Sequence, residues 1–249
     1  MAVYVIADLH LSTSKDTNKS MEVFGSRWQD YAERLKRNWT ALVSPSDTVI
    51  IPGDISWALT LEEATEDLAF LNALPGKKIL MKGNHDFWWN SLKKMREFCA
   101  SHAFDTLTFM QHDAFCVEDF ILMGTRGWFY DEKKEGSSES EIARLIARER
   151  IRLEMSLKAA DALKKEHPTK EVIAFFHFPP IWGGQVCEAF TAPLEAAGIS
   201  RAYFGHIHGA YHCPSYMDYG GIRYTLVAAD YLEFIPLHIP KDGKSCQNT

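Results

Sequence analysis

No stretch of this 249-residue chain is rich in Lys and Arg, and the formal net charge is −6. A protein that grips a long polyanion by its phosphates carries a basic footprint, so nucleic acid is disfavoured as a partner. No apolar run approaches the ~20 residues that a membrane-spanning helix needs. The short apolar run at residues 3–7 is closed by Asp8 and has no basic residue before it, so it reads as an opening strand rather than a signal peptide. Cysteine is sparse: Cys99, Cys116, Cys187, Cys213 and Cys246 are odd in number and none is spaced C-x-x-C. That disfavours a disulfide framework and leaves five reduced thiols, the expectation for a cytoplasmic protein. Internal repeats, low-complexity tracts and a domain boundary are also lacking, so one domain over residues 1–240 with a frayed tail at 241–249 is expected.

What is present is an ordinary globular composition, 46% hydrophobic and 24% charged, on a chain long enough to bury a sizeable core. Apolar, β-branched runs at residues 3–7, 49–51 and 78–82 read as buried strands. Between them, Trp28, Tyr31, Ala32, Leu35, Trp39 and Leu42 recur at helical spacing, which predicts a helix over residues 27–43. Thr60 and Glu63 form a capping-box pattern before a helix reaching residue 71, and Ser91 stands before a short helix over 92–99. This alternation predicts a layered α/β fold with an at least partly parallel sheet. Three short strands at 106–110, 114–117 and 120–124 suggest an antiparallel meander. A linker at 136–138 then leads into a charged helix over 139–166, whose polar face is solvated or walls a substrate cleft. Strands follow at 171–176, 202–204, 222–228 and 234–238.

Five segments follow directly on predicted buried strands: Asp8-Leu9-His10, Gly53-Asp54, Gly83-Asn84-His85-Asp86, His177, and Gly205-His206-Ile207-His208. Singly they are weak, since an Asp after a strand is more often a turn residue and a lone histidine more often a core one. Jointly they are specific. Ligands bind outside the carboxyl ends of strands in open α/β sheets, so all five can converge on one cleft, and they hold five of the chain's ten histidines. Imidazole with carboxylate and amide oxygen suits Zn, Fe, Mn, Ni or Co. Two divalent ions bring +4 against −2 from Asp8 and Asp54, so the site keeps about +2 for a phosphate and an activated water.

At these residues the chain resembles the calcineurin-like metallophosphoesterases, whose pattern D-x-H, G-D, G-N-H-D/E, H, G-H-x-H stands here in order over residues 8–208. The resemblance implies a four-layer fold, a two-sheet β-sandwich flanked by helices. It further implies that one metal takes Asp8, His10, Asp54 and His208, and the second takes Asp54, Asn84, His177 and His206, with Asp54 bridging. His85 would then be the catalytic histidine that stabilises the phosphoryl oxygens or protonates the leaving group, while a hydroxide held between the ions attacks phosphorus. The protein Ser/Thr phosphatases of this superfamily continue the second motif as G-D-x-x-D-R-G. Here Trp57 and Ala58 replace that Asp and Arg. Protein phosphatase activity is therefore not implied, and His85 needs a different orienting partner.

Aromatic residues flank the motif loops: Trp57, Phe87, Trp88, Trp89, Trp128, Phe129, Tyr130, Trp182 and Tyr211. Most are expected to be packing residues, with Trp57 or Trp182 the candidates to stack on a planar leaving group. Arg126, between glycines at 124 and 127, is either a surface arginine or a fork onto phosphate oxygens. The expected activity is hydrolysis of a small phosphomonoester or phosphodiester with two divalent or trivalent metals. A metal-dependent nuclease and a non-catalytic scaffold are the alternatives. The nuclease is opposed by the acidic charge, the scaffold by the full set of eight site residues.

Overall fold

Short buried strands alternate with amphipathic helices through the first half of the chain: β1 (Val3–Val5), α1 (Tyr31–Leu42), β2 (Thr48–Ile51), α2 (Thr65–Ala73), β3 (Lys77–Leu80), α3 (Leu92–Ser101) and β4 (Leu107–Phe109). The second half supplies β5 (Ala114–Val117), β6 (Phe120–Thr125), α4 (Glu139–Glu166), β7 (Glu171–Phe176), β8 (Ile181–Trp182), β9 (Gln185–Val186), α5 (Glu188–Ala196), β10 (Arg201–Phe204), β11 (Tyr216–Tyr219), β12 (Ile222–Leu226) and β13 (Leu237–His238). The computed structural model describes residues 1–13, 21–128 and 139–241. Phe129, Tyr130, the expected linker at 136–138, Cys246 and the expected tail from 242 onward lie outside the described residues.

Two large mixed sheets result. The first runs β13-β1-β2-β3-β4 and the second β11-β12-β10-β7-β6-β5. β1 through β4 are mutually parallel, with a helix crossing between each consecutive pair. The second sheet has a parallel centre, β12-β10-β7-β6, with antiparallel strands at both edges. The inner strands β2, β6 and β10 are buried along their whole length, because both of their faces are covered. Val5, Ile50, Ile79, Leu122, Ile173 and Phe175 fill the space between the sheets. On the outer side of the first sheet Leu35, Trp39, Leu68 and Met95 pack from α1, α2 and α3. On the outer side of the second, Leu153, Ala160, Phe190 and Leu194 pack from α4 and α5. The order is helix, sheet, sheet, helix, the expected four layers. Burying each such aliphatic or aromatic side chain contributes about 1.5–3 kcal/mol, so the sandwich is a rigid platform for whatever its strand ends carry.

The expected antiparallel meander is not formed. β4 joins the first sheet parallel to β3, with Ile79 opposite Thr108, and only β5 and β6 make a hairpin. The reason is α3: a helix after β3 returns the chain as a crossover unit, and a strand reached that way lies parallel to its predecessor. The first helix starts at Tyr31 rather than residue 27, because Asp30 adopts the left-handed conformation and residues 26–28 form a 3-10 turn. The Thr60 hydroxyl accepts from the Glu63 amide and the Glu63 carboxylate from Leu59, yet regular helix begins only at Thr65. Ser91 does cap α3, accepting from the Lys94 amide. The last strand is confined to Leu237–His238. No helix among the described residues is long and apolar enough to cross a membrane.

Candidate metal centre

All five motif segments lie at one end of the two sheets. Asp8 and His10 follow β1, Asp54 follows β2, Asn84 and His85 follow β3, His177 directly follows β7, and His206 and His208 follow β10. The sheets are stitched together there: the Ala7 amide donates to the Val227 carbonyl and the Ala229 amide to the Ala7 carbonyl. Asp8, His10, Asp54 and His206 all have positive φ, at 59°, 45°, 51° and 72°. Left-handed backbone at non-glycine residues costs of order 1–3 kcal/mol each and clusters where function requires it.

The donor atoms form two groups. Asp8, His10 and His208 make one, Asp54, His177 and His206 the other, and within each the atoms lie within 4.8 Å of one another. Bonds of ~2.0–2.2 Å put two donors of one ion at most about 4.4 Å apart, so each group fits a single ion after small adjustment. Asp54 serves both sides: its Oδ2 is 3.7 Å from His10 Nε2 and 3.5 Å from His177 Nε2. His10 Nε2 and His208 Nε2 approach to 3.1 Å, and Asn84 Oδ1 lies 2.5 Å from His177 Nε2. All seven residues expected to ligate metal are therefore brought together.

The glycines of the motifs have a steric reason. A Cβ at Gly83 would collide with the Asp54 carboxylate and one at Gly205 with that of Asp8. Backbone amides fill the space instead: the His85 N–H donates to Asp54 Oδ1 and the His206 N–H to Asp8 Oδ2, both at 2.8 Å.

Electrostatics favours a cation at this place. Asp8 and Asp54 are buried side by side. Burial first, and then the Asp54 charge, push the Asp8 carboxyl well above the usual carboxylate range. Asp8 Oδ1 is buried with no hydrogen-bond partner among the described residues. Burial and the neighbouring imidazoles hold His10 and His177 well below the ordinary histidine range and push His206 down to about 3. Histidine ligates metal in its neutral form, so three of the four imidazoles are already in the state that binding requires.

His85 sits beside these groups without belonging to either. Its ring is half-buried, 4.4 Å from the Trp57 ring and 5.6 Å from the His10 ring. Its neighbour Asp86 does not orient it. Asp86 is buried and accepts the amides of Gly83, Asp54, Ile55 and Ser56 and the indole N–H of Trp88. It is a hub that ties the second motif to the third. Trp57 stacks on His10 at 4.8 Å and so walls the site from beneath both rings. Trp182 packs against Phe204 at 6.1 Å, within the outer core of the second sheet. Arg126 Nη2 lies 3.4 Å from the buried Glu149, which Arg152 and Thr125 also contact.

Asp230 escaped sequence reasoning. It is buried and its Oδ1 is 2.9 Å from His208 Nδ1. The signal was available, because Asp230 follows a buried strand as every other motif does. Asp67 was missed as well. It accepts the Thr13 amide and hydroxyl and the Ser56 hydroxyl, tying together the loops that carry His10 and Asp54.

A four-layer sandwich with two facing groups of metal donors at its strand ends defines a metallophosphoesterase-type protein. The family model of the calcineurin-like phosphoesterases matches residues 1–210, and the chain belongs to that family. Among solved structures it is similar to TT1561 of Thermus thermophilus, at 10% identity and TM-score 0.54, covering 92% of this chain and 89% of that one. It also matches a protein of unknown function, AQ665 from Aquifex aeolicus, at 17% identity and TM-score 0.43 over 95% of both chains. No curated protein matches significantly.

Proposed function

We propose that this protein hydrolyses a small phosphomonoester or phosphodiester at two metal ions, one held by Asp8, His10, Asp54 and His208, the other by Asp54, Asn84, His177 and His206. The observation that carries the reading is the shared position of Asp54 Oδ2, within 3.7 Å of His10 and 3.5 Å of His177. Mn, Fe, Zn, Ni and Co all suit this mixed nitrogen and oxygen set. Bound there, the ions supply Lewis acidity and a water of lowered pKa. The chain supplies the rest. The Asp54 and Asp8 carboxylates are fixed by backbone amides, neutral imidazoles surround them, and His85 faces the ester from beside the ions. We assign His85 to the leaving oxygen or to the phosphoryl charge. Arg126 is a candidate phosphate contact and Trp57 and Trp182 candidate substrate contacts. The net charge of −6 supports a small substrate over nucleic acid. The described cysteines are free thiols, which supports a reducing, cytoplasmic location.

The test is turnover by the metal-reconstituted protein on aryl phosphomonoesters, aryl phosphodiesters and nucleotides. Metal-dependent release of phosphate or alcohol is expected, abolished by chelation. No turnover of any ester by protein carrying two equivalents of metal would contradict it.

A further inference from the structure

Two residues beyond His85 the chain turns outward. Phe87 exposes 60% of its surface, and its ring stands edge-on to that of His85 with centroids 6.5 Å apart. Leu59 is 59% exposed. Together with Phe98 of α3 they line a groove of about 480 Å³, within the ~300–1,000 Å³ typical of small-molecule sites. Isolated exposed apolar side chains need no explanation, but two large ones on one groove, one of them standing edge-on to a candidate catalytic histidine, are a different matter. The charged lining is Glu62, Glu97 and Lys94, net negative, which repels any further phosphate.

We propose that this groove receives the leaving alcohol of the substrate, and that this alcohol is an uncharged, ring-bearing group of about nucleoside size packed against Phe87 and Leu59. The inference rests on the reading of His85 as the group beside the leaving oxygen. Phe87 decides the occupant, because it both lines the groove and stands edge-on to His85: an alcohol departing past Phe87 would enter the groove, and an apolar wall with acceptor carboxylates at its edge suits a ring with hydroxyl or amino donors. Ring stacking on an aromatic side chain is lost when that side chain is truncated, on a scale of roughly 10- to 100-fold in affinity.

The test compares 1-naphthyl phosphate with ethyl phosphate on the metal-loaded full chain, and measures 1-naphthol binding to the same protein by equilibrium dialysis. In Phe87→Ala the ratio of kcat/KM for naphthyl over ethyl ester should fall about 10- to 100-fold, and naphthol should bind correspondingly more weakly. Phe87→Tyr, which keeps the ring, should preserve both. A ratio and a naphthol affinity equal to those of the unmodified protein would overturn the proposal, and so would a sulfonated naphthol that binds as tightly as naphthol. If no ester turns over but naphthol binds and Phe87→Ala weakens it, the hydrolase reading fails while the groove stands. Turnover without any effect of Phe87→Ala fails the groove alone.

Discussion

His208 Nδ1 lies 2.9 Å from Asp230 Oδ1, and the other oxygen of Asp230 accepts the Gly209 amide and the Tyr211 hydroxyl. Burial works to raise this carboxyl, yet these hydrogen bonds and the nearby imidazole hold it below its ordinary range. An ionised Asp230 can only accept, so it fixes the proton of His208 on Nδ1. Nε2 then carries the lone pair and is the atom able to ligate a metal, 3.1 Å from His10 Nε2 and grouped with Asp8.

Removing that partner should damage one metal position and spare the other. Loss of an outer-shell carboxylate typically costs 10- to 100-fold in metal affinity. Asp230→Ala should therefore weaken one of two equivalents by about that much in a competitive chelator titration, leaving circular dichroism unchanged. Two equivalents that both bind as before would show that Asp230 orients nothing.

His85 separates chemistry from metal binding, because it lies outside both donor groups. His85→Asn should lower kcat by ~10²–10⁴-fold at unchanged metal content. An ester with a nitrophenolate leaving group should suffer less than an alkyl ester if His85 is the proton donor. Both should suffer alike if it only stabilises phosphoryl charge. Activity loss that simply tracked metal loss would remove His85 from the chemistry.

The glycines carry a steric prediction. Gly205→Ala drives a Cβ into the Asp8 carboxylate, backed by the Cβ of Ala7, and neither neighbour is flexible. The variant should bind less metal than the parent, and an overpacking cost of about 1–3 kcal/mol should appear in denaturant unfolding. Gly209→Ala meets no neighbour within 4 Å, although its φ of +70° adds some strain, so it should cost less metal. Equal metal loss in both variants would contradict the steric argument.

A buried amine away from the site gives a pH signature. Lys78 is buried and donates to the Leu74 and Gly76 carbonyls, and burial lowers its ammonium pKa to about 8 from an ordinary 10.5. Between those values the unfolded chain binds more protons than the folded one, so this group's contribution to stability rises with pH. Relative to Lys78→Met, the parent should gain stability from pH 8 to pH 10. A constant difference across that range would mean the amine titrates normally when folded.

Much of this was legible in the sequence because the site obeys a local rule. Each of the five segments directly follows an apolar strand, and strand ends of parallel sheets share one edge. What was not legible depends on non-local partners. Nothing within residues 106–124 shows that β4 pairs with β3 while β5 pairs with β6, since that is decided by α3 returning the chain. The helix α5 was unassigned, with Pro193 inside it and no cap at its start. Asp67 and Asp86 look like ordinary acidic residues of a helix and a turn. Their roles come from loops that fold onto them from up to 54 residues away. The groove beside Phe87 forms only when residues 59–62 meet α3.

The bridging position of Asp54 is tested most directly by Mn(II) titration followed by electron paramagnetic resonance. Two ions sharing one carboxylate sit roughly 3.5–4 Å apart and couple magnetically. The chain should take up two equivalents and show the spectrum of a coupled pair, and Asp54→Ala should lose both the coupling and more metal than His10→Ala. Saturation at one equivalent, or two equivalents with the spectrum of isolated ions, would contradict the two-metal centre.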